Sequence, residues 1–236
     1  MGKFSKEKLE LIAGDSLYTT FTNSMTINYS FEVFKRFIKP GKLLELGPAE
    51  GLMTQHFIKI DPELTVIEGS ENFADKLRIN FPQINVINSL FEETQLNQQF
   101  DTIILGHVLE HVEDANKLLK HIKPWLKENG VILCAVPNAR SIHRQAAVDM
   151  GLISNIFEMS EKDLHHGHLR IFTPESLLSE FINAGYKIDF RGGYWLKPLN
   201  DKQIESIFTE EMLKGFMKLG EFYPDIAGEI YVVAKK

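Results

Sequence analysis

The stretch from Leu43 to Thr54, Leu-Leu-Glu-Leu-Gly-Pro-Ala-Glu-Gly-Leu-Met-Thr, constrains this chain more than any other. Lys42 to Leu46 is a short, mostly apolar run with one acid inside it, the pattern of a strand at the centre of a sheet. Gly47, Pro48 and Gly51 then impose a tight turn, and from Leu52 to Ile60 apolar residues recur at helical spacing. Strand, glycine turn and helix in that order make a nucleotide cradle. Glycine lets a ligand approach the backbone where a Cβ would collide, and a helix start offers free N–H groups. A dinucleotide fingerprint would read Gly-x-Gly-x-x-Gly. Here the spacing is Glu45-x-Gly47-x-x-x-Gly51, with no third glycine, which disfavours a nicotinamide-dependent enzyme.

Downstream, strands and helices alternate. Leu64 to Gly69 reads as a second strand ending in an acid, Glu68, about twenty residues past the glycine turn, where a carboxylate meets a ribose in this topology. Ser70 caps a helix carrying Phe73, Leu77 and Phe81, stopped by Pro82. Ile84 to Asn88 is a third strand, followed by Ser89, Leu90 and Phe91. Phe100 to Leu105, nearly all apolar, is a fourth and central strand that runs into Gly106-His-Val-Leu-Glu-His-Val112. Asp114 caps a helix with Ala115, Leu118, Leu119, Ile122 and Leu126 on one face, and Asn129-Gly130 turns it into a fifth strand, Val131 to Val136. This alternation predicts an α/β fold with a doubly wound parallel sheet, whose ligands bind along the carboxyl edge.

Residues 138–172 interrupt the pattern at that edge and are long for a plain connection. They hold Asn138, Arg140, His143 and Arg144, then His165-His166-Gly167-His168-Leu-Arg170. Thr173 and Pro174 restart a helix, Tyr186 to Phe190 is a sixth strand, residues 201–220 read as helical, and Glu229 to Ala234 is a last strand. Ahead of the cradle, residues 1–40 mix charge with Phe4, Leu9, Leu11, Ile12, Tyr18 and Phe21, then Phe31, Val33, Phe34, Phe37 and Ile38, up to the stop at Pro40-Gly41. This segment is expected to form a helical cap, either closing over a ligand or packing on the sheet edge.

Glu-x-Gly-x-x-x-Gly resembles motif I of class I S-adenosylmethionine (SAM) dependent methyltransferases. Leu-Glu-His-Val resembles the signature after the fourth strand in a large small-molecule branch of that family. His168-Leu-Arg-x-Phe-Thr-Pro-Glu-Ser-Leu177, with Ala184-Gly-Tyr186, resembles a segment common in the same branch. The likeness covers roughly residues 42–236. It implies a Rossmann-like seven-stranded sheet, six strands parallel and one reversed, in the order 3-2-1-4-5-7-6, and methyl transfer from SAM with S-adenosylhomocysteine as product. The implied cofactor contacts are Glu45, Gly47, Pro48, Gly51, Glu68, Gly69, Ser89, Leu90, Gly106 and His107. Related enzymes place an Asp for the adenine amino group where this chain has Asn88 and Ser89.

A hydroxyl acceptor needs a base, and histidine titrates nearest neutrality. His166 is the first candidate and His168 the second, with His107 and His111 next. Glu110 and His111 are also suited simply to holding the turn by hydrogen bonds. Asn138, Arg140, His143, Arg144, His165 and Arg170 are expected to line the acceptor site. The run Arg140 to Arg144, which holds no acid, could steer an anionic acceptor such as a phosphorylated or nucleotide-linked sugar. A metal is not expected: His166 and His168 merely alternate, and no acid cluster accompanies them in sequence.

Composition sets the outer bounds. A net charge of −6 argues against a nucleic-acid surface, as does the lack of Asn-Pro-Pro-Tyr, Asp-Pro-Pro-Tyr or Pro-Cys motifs. A single cysteine, Cys134 in an apolar run, excludes disulfides and thiolate clusters and fits a reducing cytoplasm. With no signal-type segment and no membrane-length apolar run, the expectation is a soluble cytoplasmic monomer or homodimer acting on a small molecule. The rival reading is a catalytically silent protein of the same fold that binds SAM as a regulator.

Overall fold

The computed structural model describes residues 6–15 and 18–236, so Phe4 of the N-terminal segment lies outside the described residues. Seven strands form one sheet: β1 Leu43–Leu46, β2 Thr65–Glu68, β3 Asn85–Asn88, β4 Phe100–Gly106, β5 Leu126–Pro137, β6 Lys187–Tyr194 and β7 Glu229–Lys235. Their order is β3-β2-β1-β4-β5-β7-β6. The pairs from β3 through β5 are parallel, and β7 runs antiparallel to both of its neighbours.

The two-residue period of a strand decides what each face buries. On β4, β5 and β7, Ile103, Leu105, Ile132, Cys134, Val136, Ile230, Val232 and Ala234 point to one side. There they meet Leu118, Leu119 and Ile122 of α5 (Ala115–Ile122) and Leu177 and Phe181 of α8 (Pro174–Asn183). Their neighbours Ile104, Val131, Leu133, Ala135, Tyr231 and Val233 point to the other side. That face is covered by Val33 and Phe34 of α2 (Phe21–Phe34), Phe57 of α3 (Thr54–Phe57), Leu77 of α4 (Glu71–Asn80), Ile204 of α9 (Asp201–Ile207), and Leu213 and Met217 of α10 (Glu210–Gly220). Each fully buried aliphatic side chain contributes about 1.5–3 kcal/mol, and both faces are dry, so the central strands read as unbroken apolar runs.

Several elements differ from the sequence expectation, each for a local reason. The helix expected over Leu52–Ile60 is only the four residues of α3. Around it the backbone bonds run three residues back, from His56 to Met53, Lys59 to His56 and Ile60 to Phe57, tightening it into turns. The helix after Asp114 stops at Ile122 rather than continuing through Leu126: Pro124 cannot donate, residues 123–125 form a 3₁₀ turn, and Leu126 opens β5 opposite Phe100. The helix expected over 201–220 is two, because Thr209 starts α10 afresh by accepting from the Met212 N–H.

The interruption after β5 contains α6 (Ile142–Asp149) and α7 (Glu161–His165) and returns to the sheet through a bridge between Asn138 and Phe172. At the N-terminus, α1 (Lys6–Gly14) packs on α4 and buries only Ala13, with Leu11 exposed. What fastens it is Glu10, which accepts from Ser70 Oγ and from the Glu71 and Asn72 N–H groups at the start of α4. Among the described residues no helix is long and apolar enough to cross a membrane.

Candidate active site

The turn between β1 and α3 is held in an uncommon conformation. Gly47 and Gly51 have φ of +63° and +78°, and Ala49 between them has +49°. The Gly47 N–H donates to Ile67 O on β2 at 2.9 Å, pinning the turn to the sheet. The two glycines serve different ends. A Cβ on Gly51 would stand 2.6 Å from the Phe81 ring, so that glycine is required by packing. A Cβ on Gly47 would meet only the tips of Val108 at 3.2 Å and Phe91 at 3.4 Å, at the lip of a cavity, where absence of a side chain leaves room for a ligand.

Two acids flank the turn. Glu68, at the end of β2 and buried, accepts from the Ala49 N–H at 3.1 Å and the Ser70 N–H at 2.9 Å. Burial pushes its carboxyl up to about 7, against the pull of those backbone donors. Glu45, buried in β1, is pushed up to about 8 by burial, opposed by the Thr54 hydroxyl that donates to it at 2.7 Å.

Two cavities open at the carboxyl edge of the sheet. The larger, about 570 Å³, is walled by Glu68, Gly69, Ser89, Leu90 and Phe91, and roofed by Leu9 and Ile12 of α1. The smaller, about 170 Å³, lies between the Glu45–Met53 turn, the β4 end, residues 138–171 and the segment from Trp195 to Asp201. Tyr18, Gly47, Ala49, His107, His111 and His166 line both, so these residues mark where the cavities meet.

His107 stands at that junction with φ of +59°, a strained setting for a residue with a Cβ. Its Nδ1 is 3.7 Å from both Glu110 and Glu229, and its Nε2 is 3.3 Å from Ser30 Oγ, which lies 2.6 Å from Tyr194 Oη. Burial works against protonation of His107, but the two carboxylates outweigh it and raise its pKa. Burial likewise would raise the Glu110 carboxyl, yet His107, His111 and His168 around it hold it below its ordinary value. At these separations none of the imidazoles is within hydrogen-bond distance of Glu110, and neither Glu110 oxygen has a hydrogen-bond partner among the described residues. His111 and His166 are both lowered to about 4, chiefly by burial. His166 is buried, its ring lies 5.2 Å from that of Tyr18, and its Nε2 has no hydrogen-bond partner among the described residues.

The fold gathers most, not all, of the residues singled out in the sequence. Gly47 and His107 line both cavities; Glu68, Gly69, Ser89 and Leu90 line the larger; Glu45, Pro48, Gly106 and His168 line the smaller. Gly51 lines neither and acts through packing. Asn138, His143 and Arg144 reach the smaller cavity. Arg140, His165 and Arg170 line neither: Arg140 pairs with Glu175, His165 lies 2.9 Å from Asp15 O, and Arg170 donates to Glu113 O. Asn88 spends its amide on the Glu68 and Gly69 carbonyls. Sequence reading passed over Ser30, Tyr194, Glu229, Lys162, Lys197 and Asp201, which come from distant elements and carry no local signal. Nor did it see that Glu110 would sit among the histidines.

A glycine-lipped cleft at the carboxyl edge of the sheet, with a buried acid at the end of β2, apolar walls and a volume suited to a ligand of SAM's size, is the arrangement of an α/β protein of the methyltransferase type. The family model described as a methyltransferase domain matches residues 28–189, and the chain belongs to that family of SAM-dependent methyltransferases. A ubiquinone biosynthesis O-methyltransferase from Rhodopseudomonas palustris (strain BisA53) is 25% identical over 168 residues; the match covers 68% of this chain and 64% of that protein. Another from strain TIE-1 is 29% identical over 104 residues, and the chain spans only 40% of its length. Among solved structures, a Thermotoga maritima protein described as a SAM-dependent methyltransferase and possible histamine N-methyltransferase superposes with a TM-score of 0.70 at 15% identity, covering 97% of this chain and 99% of that one. A SAM-dependent methyltransferase from Mesorhizobium loti gives 0.64 at 17% identity, covering 88% and 96%. At such identities these superpositions establish the fold.

Proposed function

We propose that the chain transfers a methyl group to an oxygen of a small, hydroxyl-rich acceptor such as a sugar, with His166 taking the acceptor's proton. The observation that carries this reading is His166 itself: a buried imidazole in the wall common to both cavities, with a ring nitrogen left without a partner among the described residues. SAM supplies a methyl group on a sulfonium that is already a good leaving group, so the protein's work is to align the acceptor, exclude water and receive a proton.

The residues divide that work. Glu68, with two oxygens at the lip of the larger cavity, suits the vicinal hydroxyls of a ribose, and Leu90 and Phe91 suit the flat face of an adenine. The Gly47 turn leads toward the smaller cavity, where the acceptor would enter against His107, His111 and His166. The cations of that cavity are already engaged. Lys162 donates to Asn23 and Asp201, Lys197 pairs with Asp201 at 2.6 Å, and Arg144 donates to the Ile156 and Glu158 carbonyls. That arrangement favours hydroxyl groups over a phosphate as the handle on the acceptor. That the Rhodopseudomonas palustris relatives are O-methyltransferases by name supports oxygen as the methylated atom.

The test is to incubate the chain with isotopically labelled SAM and fractionated metabolite extract, then to locate the label by mass spectrometry and NMR. A methyl ether on a small molecule is the expected product. Label found on nitrogen or on a macromolecule would overturn the reading.

A further inference from the structure

In sequence Glu110 and His111 stand far from His168; the fold brings the three together. Glu110, at the end of the turn after β4, stands beside His111 and faces His168, which arrives from the far side of the interruption after β5. One ligand atom from each of the three lies within 4.8 Å of the other two. We propose that Glu110, His111 and His168 form a binding site for a divalent first-row transition metal, of the zinc or manganese kind, that holds the acceptor by its oxygens.

Three observations carry this. The first is Glu110, whose side chain is 1% exposed and whose two carboxylate oxygens both lack a hydrogen-bond partner among the described residues. A buried, unsatisfied carboxylate is costly unless a cation or donors complete it, and the surrounding rings stand too far off to do so, at 3.7 Å for His107 and 4.0 Å for His111. Second, His111 is steadied from behind by a hydrogen bond, and His168 faces a carboxylate there without one among the described residues. A ring nitrogen of His111 is bonded to the Gly167 carbonyl, and Asp163 Oδ1 is 3.4 Å from His168 Nδ1. Carbonyls and carboxylates in that position commonly fix the rings of metal ligands. Third, all three residues line the smaller cavity, so a metal held there would face whatever occupies it.

Two imidazoles and one carboxylate suit zinc, manganese or iron better than magnesium, which prefers oxygen donors throughout. Bonds of about 2.0–2.2 Å place ligand atoms roughly 3–3.6 Å apart, so binding would draw the three together by about an ångström. Three protein ligands leave further positions open, and adjacent acceptor oxygens, as in a diol, a catechol or a hydroxy acid, could fill them. Coordination would also make the bound hydroxyl easier to deprotonate. This deepens the hydroxyl-acceptor reading given above and rests on it for the acceptor class, although metal binding itself does not.

The experiment uses the full chain stripped with a chelator and titrated with Co²⁺, whose visible absorption reports imidazole and carboxylate ligation, followed by Zn²⁺ and Mn²⁺ in calorimetry. SAM affinity is measured in parallel. The expected result is one equivalent of Co²⁺ displaced by Zn²⁺, with affinity at least ~10-fold weaker in Glu110→Gln and in His168→Ala while both variants still bind SAM. Glu110→Gln keeps the shape of the buried side chain, and His168→Ala alters a position nearer the cavity surface, so misfolding of one leaves the other to decide. A wild-type chain that takes up no Co²⁺ or Zn²⁺ at ~100 µM, or variants that both bind as the wild type does, would overturn the site. If the unmetallated protein binds SAM and methylates a hydroxyl acceptor undiminished, the metal falls and the methyltransferase reading stands. Loss of SAM binding in the wild type would fail that reading whatever the metal does.

Discussion

The two cavities are built on different principles. The larger is made from consecutive strand ends and the turns that follow them: the Gly47 turn after β1, Glu68 and Gly69 after β2, Ser89 to Phe91 after β3. Successive strand ends form its floor, where backbone geometry does much of the shaping, while Leu9, Ile12 and His166 close it from outside that series. The smaller is assembled from side chains of segments far apart in the chain, with Asn23 of α2, Glu110, Lys162, His168, Trp195 and Glu229 among its walls. A site of the first kind is set by the fold and can serve any acceptor; one of the second kind can be altered residue by residue without disturbing the sheet. The difference predicts that substitutions in the larger cavity change SAM affinity, whereas those in the smaller change turnover at constant SAM affinity.

The largest effect is expected on the acceptor side. His166→Ala should lower turnover with the identified acceptor by ~10²–10⁴-fold while calorimetry finds SAM affinity within a few-fold of wild type. Normal turnover in this variant would move the proton's destination to His168, His107 or His111. On the cofactor side, Gly47→Val forces a β-branched residue to φ near +63° and fills the lip of the cavity. SAM binding should fall below detection in a protein whose circular dichroism is unchanged. Undiminished affinity would break the assignment of this turn to the cofactor.

Glu68 gives a smaller and graded effect. Glu68→Ala should weaken SAM by at least about tenfold, the loss of one or more charge-assisted hydrogen bonds. The same residue predicts a pH dependence. Under the proposed reading it is the carboxylate form that would accept ribose hydroxyls, and burial has raised the carboxyl to about 7. SAM affinity should therefore be full above that pH and decline as pH falls through it, by at most about tenfold per unit. Calorimetry at pH 6 and pH 8 checks the sign, and Glu68→Ala should flatten the slope. The smallest effect belongs to Arg140, whose exposed pairing with Glu175 lies outside both cavities. Arg140→Ala should leave turnover and SAM affinity within about twofold.

The comparison also explains what could be read from sequence. The alternation of strands and helices and the glycine turn were legible because each depends on local patterns, apolar runs and glycine spacing, whereas the strand order followed only from the family resemblance. The Glu110 environment was not legible, since its neighbours His107, His111, His168 and the nearby Glu229 are brought together only by sheet pairing and by the return of the chain after residue 138. Arg140 shows the converse. A run of positive residues in sequence looked like an anion handle, but Arg140 found Glu175 on α8 and Arg144 turned to backbone carbonyls. Charge in a sequence says what must be satisfied, not by whom.

One attachment bears on time rather than on affinity. The roof of the larger cavity is α1, whose half-buried Leu9 and Ile12 cover it and whose Glu10 carboxylate ties it to the start of α4. A latch made of charge is felt less as ionic strength rises, and one made of oil is not. The dwell time of the nucleoside product is thus expected to shorten as salt is added and to shorten further in Glu10→Gln, which stopped-flow displacement would register. A turnover rate that rises with salt would mark departure, not chemistry, as the slow step of the cycle.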